Sequence, residues 1–337
     1  MGENAYPDTI QCRCDSHIYD VQLQYVKIAL LSVTGDSKRG SYISSLPFGV
    51  VSAPYKITPP LIKRSRLTYV ERGGVGKGLS DGWALNFVVG CTMGCKFCYV
   101  DDIHKRWSYQ RVGDIVFEEW GNYIALPSNL EEAIEKTPWE KWRNIEVLLS
   151  STHDPYLPIT YRWTRRILEV ALPAGVYFCI QTRSPLVEKD FDLLKRYRKQ
   201  VRLQVSIATY NHELSRLIEP RVVSPERRMA ILQRAKSEGL TTGIIIAPVF
   251  PPIKLRPDVE DDLELIVRDL KKIGIDHIYG ESLHRRGLNI IYLERILDEE
   301  IKLNGFDRIA GKIFYRLLKK HGLRGKWWYE QHTNPSK

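Results

Sequence analysis

The chain has 337 residues, 43% hydrophobic and 27% charged, with a formal net charge of +10. That balance excludes large-scale disorder and leaves enough apolar residues for the core of one large α/β domain. No apolar run reaches about eighteen residues, which argues against a membrane span, and the first residues lack the basic-then-apolar pattern of a secretory leader, so a cytoplasmic protein is expected.

In chain order, residues 1–75 read as an N-terminal extension. Its segment 19–33 is apolar enough for one or two strands, and SLPFGVVSAPYKITPP reads as extended chain or loop. GGVGKG (73–78) lacks the spacing and the strand–helix context of a phosphate loop. From residue 76 a regular alternation begins. Strand-like runs fall at 83–89, 145–151, 176–182, 201–209, 241–249 and 277–283, all rich in β-branched and aromatic residues. Helical patterns fit 128–136, 159–173, 186–199, 225–238, 257–273, 290–304 and 311–322. Ser128 with Glu131 three residues on suggests a capping box. Ser224, Pro225 and Gly239 punctuate the 225–238 helix at both ends. Six βα units with crossovers of one hand predict a partial (β/α)6 TIM-like barrel over 76–290, with C-terminal helices and a basic, aromatic tail over 291–337.

The strongest chemical signal is GCTMGCKFCYV (90–100), a Cys-x3-Cys-x2-Cys placed just after the first core strand. Thiolates suit iron–sulfur clusters. Cys91, Cys95 and Cys98 can hold three corners of a 4Fe–4S cube, and with no fourth cysteine nearby one iron keeps an open position, as catalytic metals require. The rival reading is a zinc site completed by a distant ligand such as His104, although paired Cys-x2-Cys units are missing.

The three-cysteine spacing with Phe97 in the aromatic slot resembles the radical S-adenosylmethionine (SAM) superfamily over residues 76–290. A closer resemblance, to its spore photoproduct lyase-like branch (also labelled DNA repair photolyase-like), is carried by NFVVGCTMGCKFCYV, SSTHDPYLPIT (150–160), QTRSPLVEKDFDLLKRY (181–197) and VSIATYNHELSRLIEPRVVSPERR (205–228). The resemblance implies a 4Fe–4S cluster on Cys91, Cys95 and Cys98 that cleaves SAM reductively to a 5′-deoxyadenosyl radical. It also implies an electron donor such as ferredoxin or flavodoxin. Phe97 would lie near the adenine, Ser151 and Asp154 in the region of the amino group, and Ser206 at the ribose. Arg183 stands where the branch usually has a lysine for the methionine carboxylate, a job a guanidinium can do bidentately. Arg221 would face the cofactor or an anionic substrate. Tyr99 matches a tyrosine that takes part in hydrogen transfer. Spore photoproduct lyase also uses a cysteine three residues before the equivalent of Asp154, where this chain has Ser151. A hydroxyl cannot replace a thiol as hydrogen donor, because its O–H bond is far stronger, so this departure argues against spore photoproduct repair itself.

The implied substrate is a nucleic acid base, in repair or modification. The alternatives are a peptide or small metabolite, or a non-catalytic metal-binding nucleic-acid module; lyase and transferase chemistry stay open. Basic residues cluster at 63–66, 195–202, 285–286 and 319–326, as phosphate contacts or as solvated faces. Trp327 and Trp328 either stack bases or cap an open barrel edge. Cys12, Cys14 and His17 form a weak C-x-C-x2-H. Cys179 reads as a packing cysteine. Glu281 and His284 end the sixth strand, where βα barrels place their active sites.

Overall fold

A computed structural model of the chain describes residues 49–51, 55–68 and 78–328. The 19–33 strands, the Cys12, Cys14 and His17 group and the tail beyond residue 328 lie outside the described residues.

Eight strands form the main sheet, in the order β11-β10-β9-β8-β7-β6-β3-β2. They are β2 (Ile62–Arg64), β3 (Trp83–Leu85), β6 (Glu146–Leu149), β7 (Tyr177–Thr182), β8 (Val201–Ile207), β9 (Thr241–Val249), β10 (His277–Ser282) and β11 (Lys326–Trp327). All neighbours are parallel except the antiparallel β2–β3 pair. A smaller sheet joins β1 (Gly49–Val51), β5 (Tyr123–Ala125) and β4 (Val89–Gly90), the last two antiparallel. Every residue of β8 is buried, as a parallel strand covered on both faces requires.

The sheet curls. Ala84 of β3 and Tyr279 of β10 stand five strands apart, yet share one buried cluster with Leu79, Leu148, Cys179, Ile245 and Trp328. Among the described residues no ladder closes β2 onto β11, so this is the expected partial barrel. Beside that cluster, Arg202 donates to the Glu146 carboxylate (2.8 Å), the Tyr279 hydroxyl (3.0 Å) and the Gly78 carbonyl (2.9 Å). The 195–202 run is therefore not one solvated patch, because its last arginine is buried.

The α-helices of six or more residues are α1 (Leu130–Glu135), α2 (Tyr161–Ala171), α3 (Phe191–Arg196), α4 (His212–Ile218), α5 (Pro225–Ser237), α6 (Val259–Ile273), α7 (Asn289–Leu297) and α8 (Phe306–Lys320). Ser224 caps α5 by accepting from Arg227 N at 3.2 Å, as read from the sequence. The capping box at Ser128 does not form. Its hydroxyl donates to the Tyr55 carbonyl instead, and the helix starts two residues later. α7 stops at Leu297, short of the expected 304, because Asp298 takes a left-handed conformation at φ 50°.

Candidate active site

The residues of the site come from the ends of the core strands. Leaving β4, the chain turns at Gly90 (φ 97°) and wraps through Cys91, Cys95 and Cys98 before a helical segment begins at Val100. Cys91 and Cys95 are buried and Cys98 half-buried, and all three are free thiols. Burial pushes each thiol up to about 12, and each feels the charge of another, which puts the three sulfurs in one place. Cys91 also hydrogen-bonds the backbone of Asp154. Three converging thiols are the soft donors that suit an iron–sulfur cluster.

Two struts fix the loop from outside. Lys96 N donates to the Ile218 carbonyl at 2.8 Å. Arg221 donates to the carbonyls of Thr92 (3.5 Å) and Gly121 and to the Asn122 side chain (2.6 Å). Arg221 thus braces the backbone of the cysteine loop.

Beside the thiols lie Phe97, Asp154 and Arg183. Asp154 is buried and accepts from Arg183 N (2.7 Å), the Thr182 hydroxyl (2.7 Å) and Tyr156 N (2.9 Å), tying the loop after β6 to the end of β7. Burial raises its carboxyl pKa, against those three donors. The Arg183 guanidinium lies 5.7 Å from the Phe97 ring centre, and its Nε donates to Glu219 at 2.9 Å. Burial opposes the Arg183 charge, but Cys95, Glu219 and Asp154 outweigh it and raise the pKa. Phe97 also meets Phe250 edge-on at 6.3 Å. Ser206, near the end of β8, accepts from Gln181 Nε2 at 3.3 Å.

Tyr99 and Ser151 form a second grouping. The Tyr99 hydroxyl donates to the Ser151 carbonyl at 3.3 Å. Asn86 clamps Ser151 by accepting from its backbone N at 2.9 Å and donating to its Oγ at 3.0 Å. Burial holds the Tyr99 phenol above its ordinary pKa, with Cys98 and Glu281 acting the same way, so the group stays protonated. These three residues line an opening of about 220 Å³ whose outer wall is Lys63, Arg64, Ser65 and Arg66. Arg64 lies over the Trp83 ring at 4.2 Å. Glu281 and His284 approach to 3.4 Å at the end of β10. Cys179 is fully buried in the barrel interior.

Asn86, Glu219 and Arg228 escaped the sequence reading. Asn86 had a signal, as the polar residue inside the apolar run WALNFVV. Glu219 and Arg228 both lie in the 205–228 stretch, but nothing in it links them to Arg183, thirty-six residues before Glu219.

Residues 85–266, more than half of the chain, match the sequence model of the Radical SAM superfamily. The chain is 57% identical over 279 residues to the uncharacterized protein ORF301 of Acidianus two-tailed virus, covering 82% of this chain and 93% of that protein. It is 26% identical over 190 residues to a Radical SAM Nalpha-GlyT isomerase of Pseudomonas phage M6, covering 56% of this chain and 36% of that one. Among solved structures, a spore photoproduct lyase variant superimposes with a TM-score of 0.58 at 12% identity over 94% of both chains. Another variant, with bound AdoMet and dinucleoside spore photoproduct, gives 0.55 at 13% identity over 74% of this chain and 77% of the other. These likenesses carry the fold. Among the described residues no helix is long and apolar enough to cross a membrane.

Proposed function

Since this chain belongs to the radical SAM superfamily, we propose that it acts on a base of a nucleic acid, in repair or modification, as a member of the spore photoproduct lyase-like branch. The enzyme is SAM-dependent and uses a 4Fe–4S cluster, which together supply a 5′-deoxyadenosyl radical when bound. In this reading Cys91, Cys95 and Cys98 hold the cluster. Arg183 takes the methionine carboxylate, Asp154 lies toward the amino group, Phe97 toward the adenine and Ser206 toward the ribose. Tyr99, kept protonated, takes part in hydrogen transfer, and Asn86 and Ser151 hold its hydroxyl in place. Such a cluster needs a low-potential electron from ferredoxin or flavodoxin, which fits a reducing cytoplasm.

The observation that carries the substrate class is the opening beside Tyr99. Its wall bears Lys63, Arg64 and Arg66, and its floor bears Tyr99, Asn86 and Ser151. Cations beside a hydrogen-transfer group suit a base presented on a phosphate backbone. A spore photoproduct lyase of similar fold binds a dinucleoside spore photoproduct together with AdoMet, in keeping with this reading.

The test is an anaerobic assay with reconstituted protein, dithionite and SAM, with and without DNA or RNA oligonucleotides. Nucleic acid should raise 5′-deoxyadenosine formation. Lys63→Ala and Arg66→Ala should each weaken binding at every sequence and lower the salt slope by about 1. Indifference to every oligonucleotide, with stimulation by a peptide or metabolite fraction instead, would sink the proposal.

A further inference from the structure

The segment joining α4 to α5 carries Glu219, whose side chain is fully buried between two guanidinium groups. Its carboxylate accepts from Arg183 Nε at 2.9 Å, and from Arg228 Nη2 at 2.6 Å and Nη1 at 3.1 Å. Arg228 is itself fully buried and anchored to the Ser206 carbonyl at 2.8 Å and the Ser215 hydroxyl at 3.4 Å. Two cations share one anion, so the triad keeps one positive charge. Asp154 also acts on Arg183, so the pointer to a ligand is the free end of the Arg183 fork and not an unpaired charge.

A ligand carboxylate finds its place at the free end of that fork. Glu219 occupies the Nε edge of Arg183, and the two Nη groups make no hydrogen bond among the described residues. A fork held by Nε presents its end-on pair, a geometry that binds carboxylates bidentately. The same short segment touches the cysteine loop on either side of Glu219, through the Ile218 carbonyl, which accepts from Lys96 N at 2.8 Å, and the Arg221 side chain, which reaches the Thr92 carbonyl at 3.5 Å. One stretch of backbone therefore sets both the cysteine loop and the Arg183 fork.

We propose that Glu219, locked by Arg228, is a positioning residue that aims Arg183 at the methionine carboxylate of SAM and sets its distance from the cluster. This rests on the assignment of Arg183 to that carboxylate. Without Glu219 the fork would be released and pushed away by Arg228, whose charge would then be unshared.

Equilibrium binding to the reconstituted full chain tests this, with SAM and decarboxylated SAM as probes and a melting temperature for each variant. Arg183→Ala should weaken SAM about tenfold or more and leave decarboxylated SAM nearly unchanged. Glu219→Gln should show the same selectivity, and added to Arg183→Ala should cost nothing further, a coupling that a purely structural role would not produce. If Glu219→Gln does not fold, Glu219→Asp keeps the charge beside Arg228 but shortens the reach to Arg183, and should show a smaller loss of the same selectivity. Loss of both probes equally in Arg183→Ala would overturn the Arg183 assignment. Selectivity in Arg183→Ala, with unchanged or tighter SAM binding in the folded Glu219 variant, would overturn the positioning role alone.

Discussion

Gly90 is the residue on which the cysteine loop turns, and Gly90→Ala is the sharpest perturbation of it. At φ 97° an L-residue is strained, which costs about 1–3 kcal/mol. The added Cβ would also stand 2.5 Å from the Tyr123 carbonyl oxygen and 2.7 Å from that residue's ring. That carbonyl belongs to β5, which is paired on both sides and cannot retreat freely, so the overlap adds about 1–3 kcal/mol. Together the variant should lose about 2–6 kcal/mol. The cheapest relief moves the loop that starts at Cys91. Iron and sulfide per chain after anaerobic reconstitution should therefore fall even where the protein is still folded, and the melting temperature should drop by about 5 °C or more. A Gly90→Ala protein that melts with its parent and loads iron fully would refute the reasoning.

Single Cys91→Ala, Cys95→Ala and Cys98→Ala variants should each abolish 5′-deoxyadenosine formation and most of the iron content. Cys179→Ala should load iron normally and lose about 1 kcal/mol of stability, since it removes only a buried thiol from the barrel interior. Asn86→Leu leaves the Ser151 backbone N without its acceptor, at a cost of about 1–3 kcal/mol; thermal unfolding should show that loss, and product per 5′-deoxyadenosine should fall as the Tyr99 anchor loosens. Burial holds His104 down to about 4 and His153 down to about 3, from an ordinary 6.5, so both rings are neutral in the folded chain at pH 7. Below pH 6.5 the unfolded chain binds more protons, so this contribution is present above 6.5 and is lost as pH falls toward 4. Melting curves of His153→Gln should be less acid-sensitive than the parent's, and identical acid dependence would rule the account out.

The barrel was legible because its strands are buried on both faces and read as apolar runs; β9 begins at Thr241 and ends at Val249, as expected. Cys91, Cys95, Cys98 and Phe97 were legible because close spacing encodes a shared site. The small sheet of β1, β4 and β5 was not, since strands of two or three residues carry no period to detect. Helix α4 was missed too, although Asn211 caps it by accepting from Leu214 N; only seven residues long, it shows too few turns for a periodic signal. The hidden part of the site is the part made by tertiary contact. Arg183 and Glu219 are thirty-six residues apart in sequence, and nothing local to either announces the other.

The aromatic tail decides between two ways of meeting a nucleic acid. Trp327 pairs in register with Gly280 on the β10 edge, and its ring stands where a Cβ on Gly280 would come within 2.5 Å, so a glycine there lets the indole close the sheet. Trp328 stacks on Tyr279 at 4.9 Å. Tyr279 in turn reaches Arg202 and the Gly78 carbonyl. Trp328 is committed to the barrel interior, and Trp327 to the helix side, where its ring meets Phe314 at 5.3 Å and its Nε1 donates to Asp307 at 2.9 Å, so neither can also stack on bases. In the proposed function, stacking must then come from elsewhere, and Trp107, at 73%, is the most exposed of the large hydrophobic side chains among the described residues. It lies one helical turn beyond Ile103, which lines the opening beside Tyr99. Trp107→Ala should weaken oligonucleotide binding by about 1–3 kcal/mol with the salt slope unchanged, because stacking releases no counterions. An equal loss from Trp328→Ala in a protein of unaltered melting temperature would instead return base stacking to the tail.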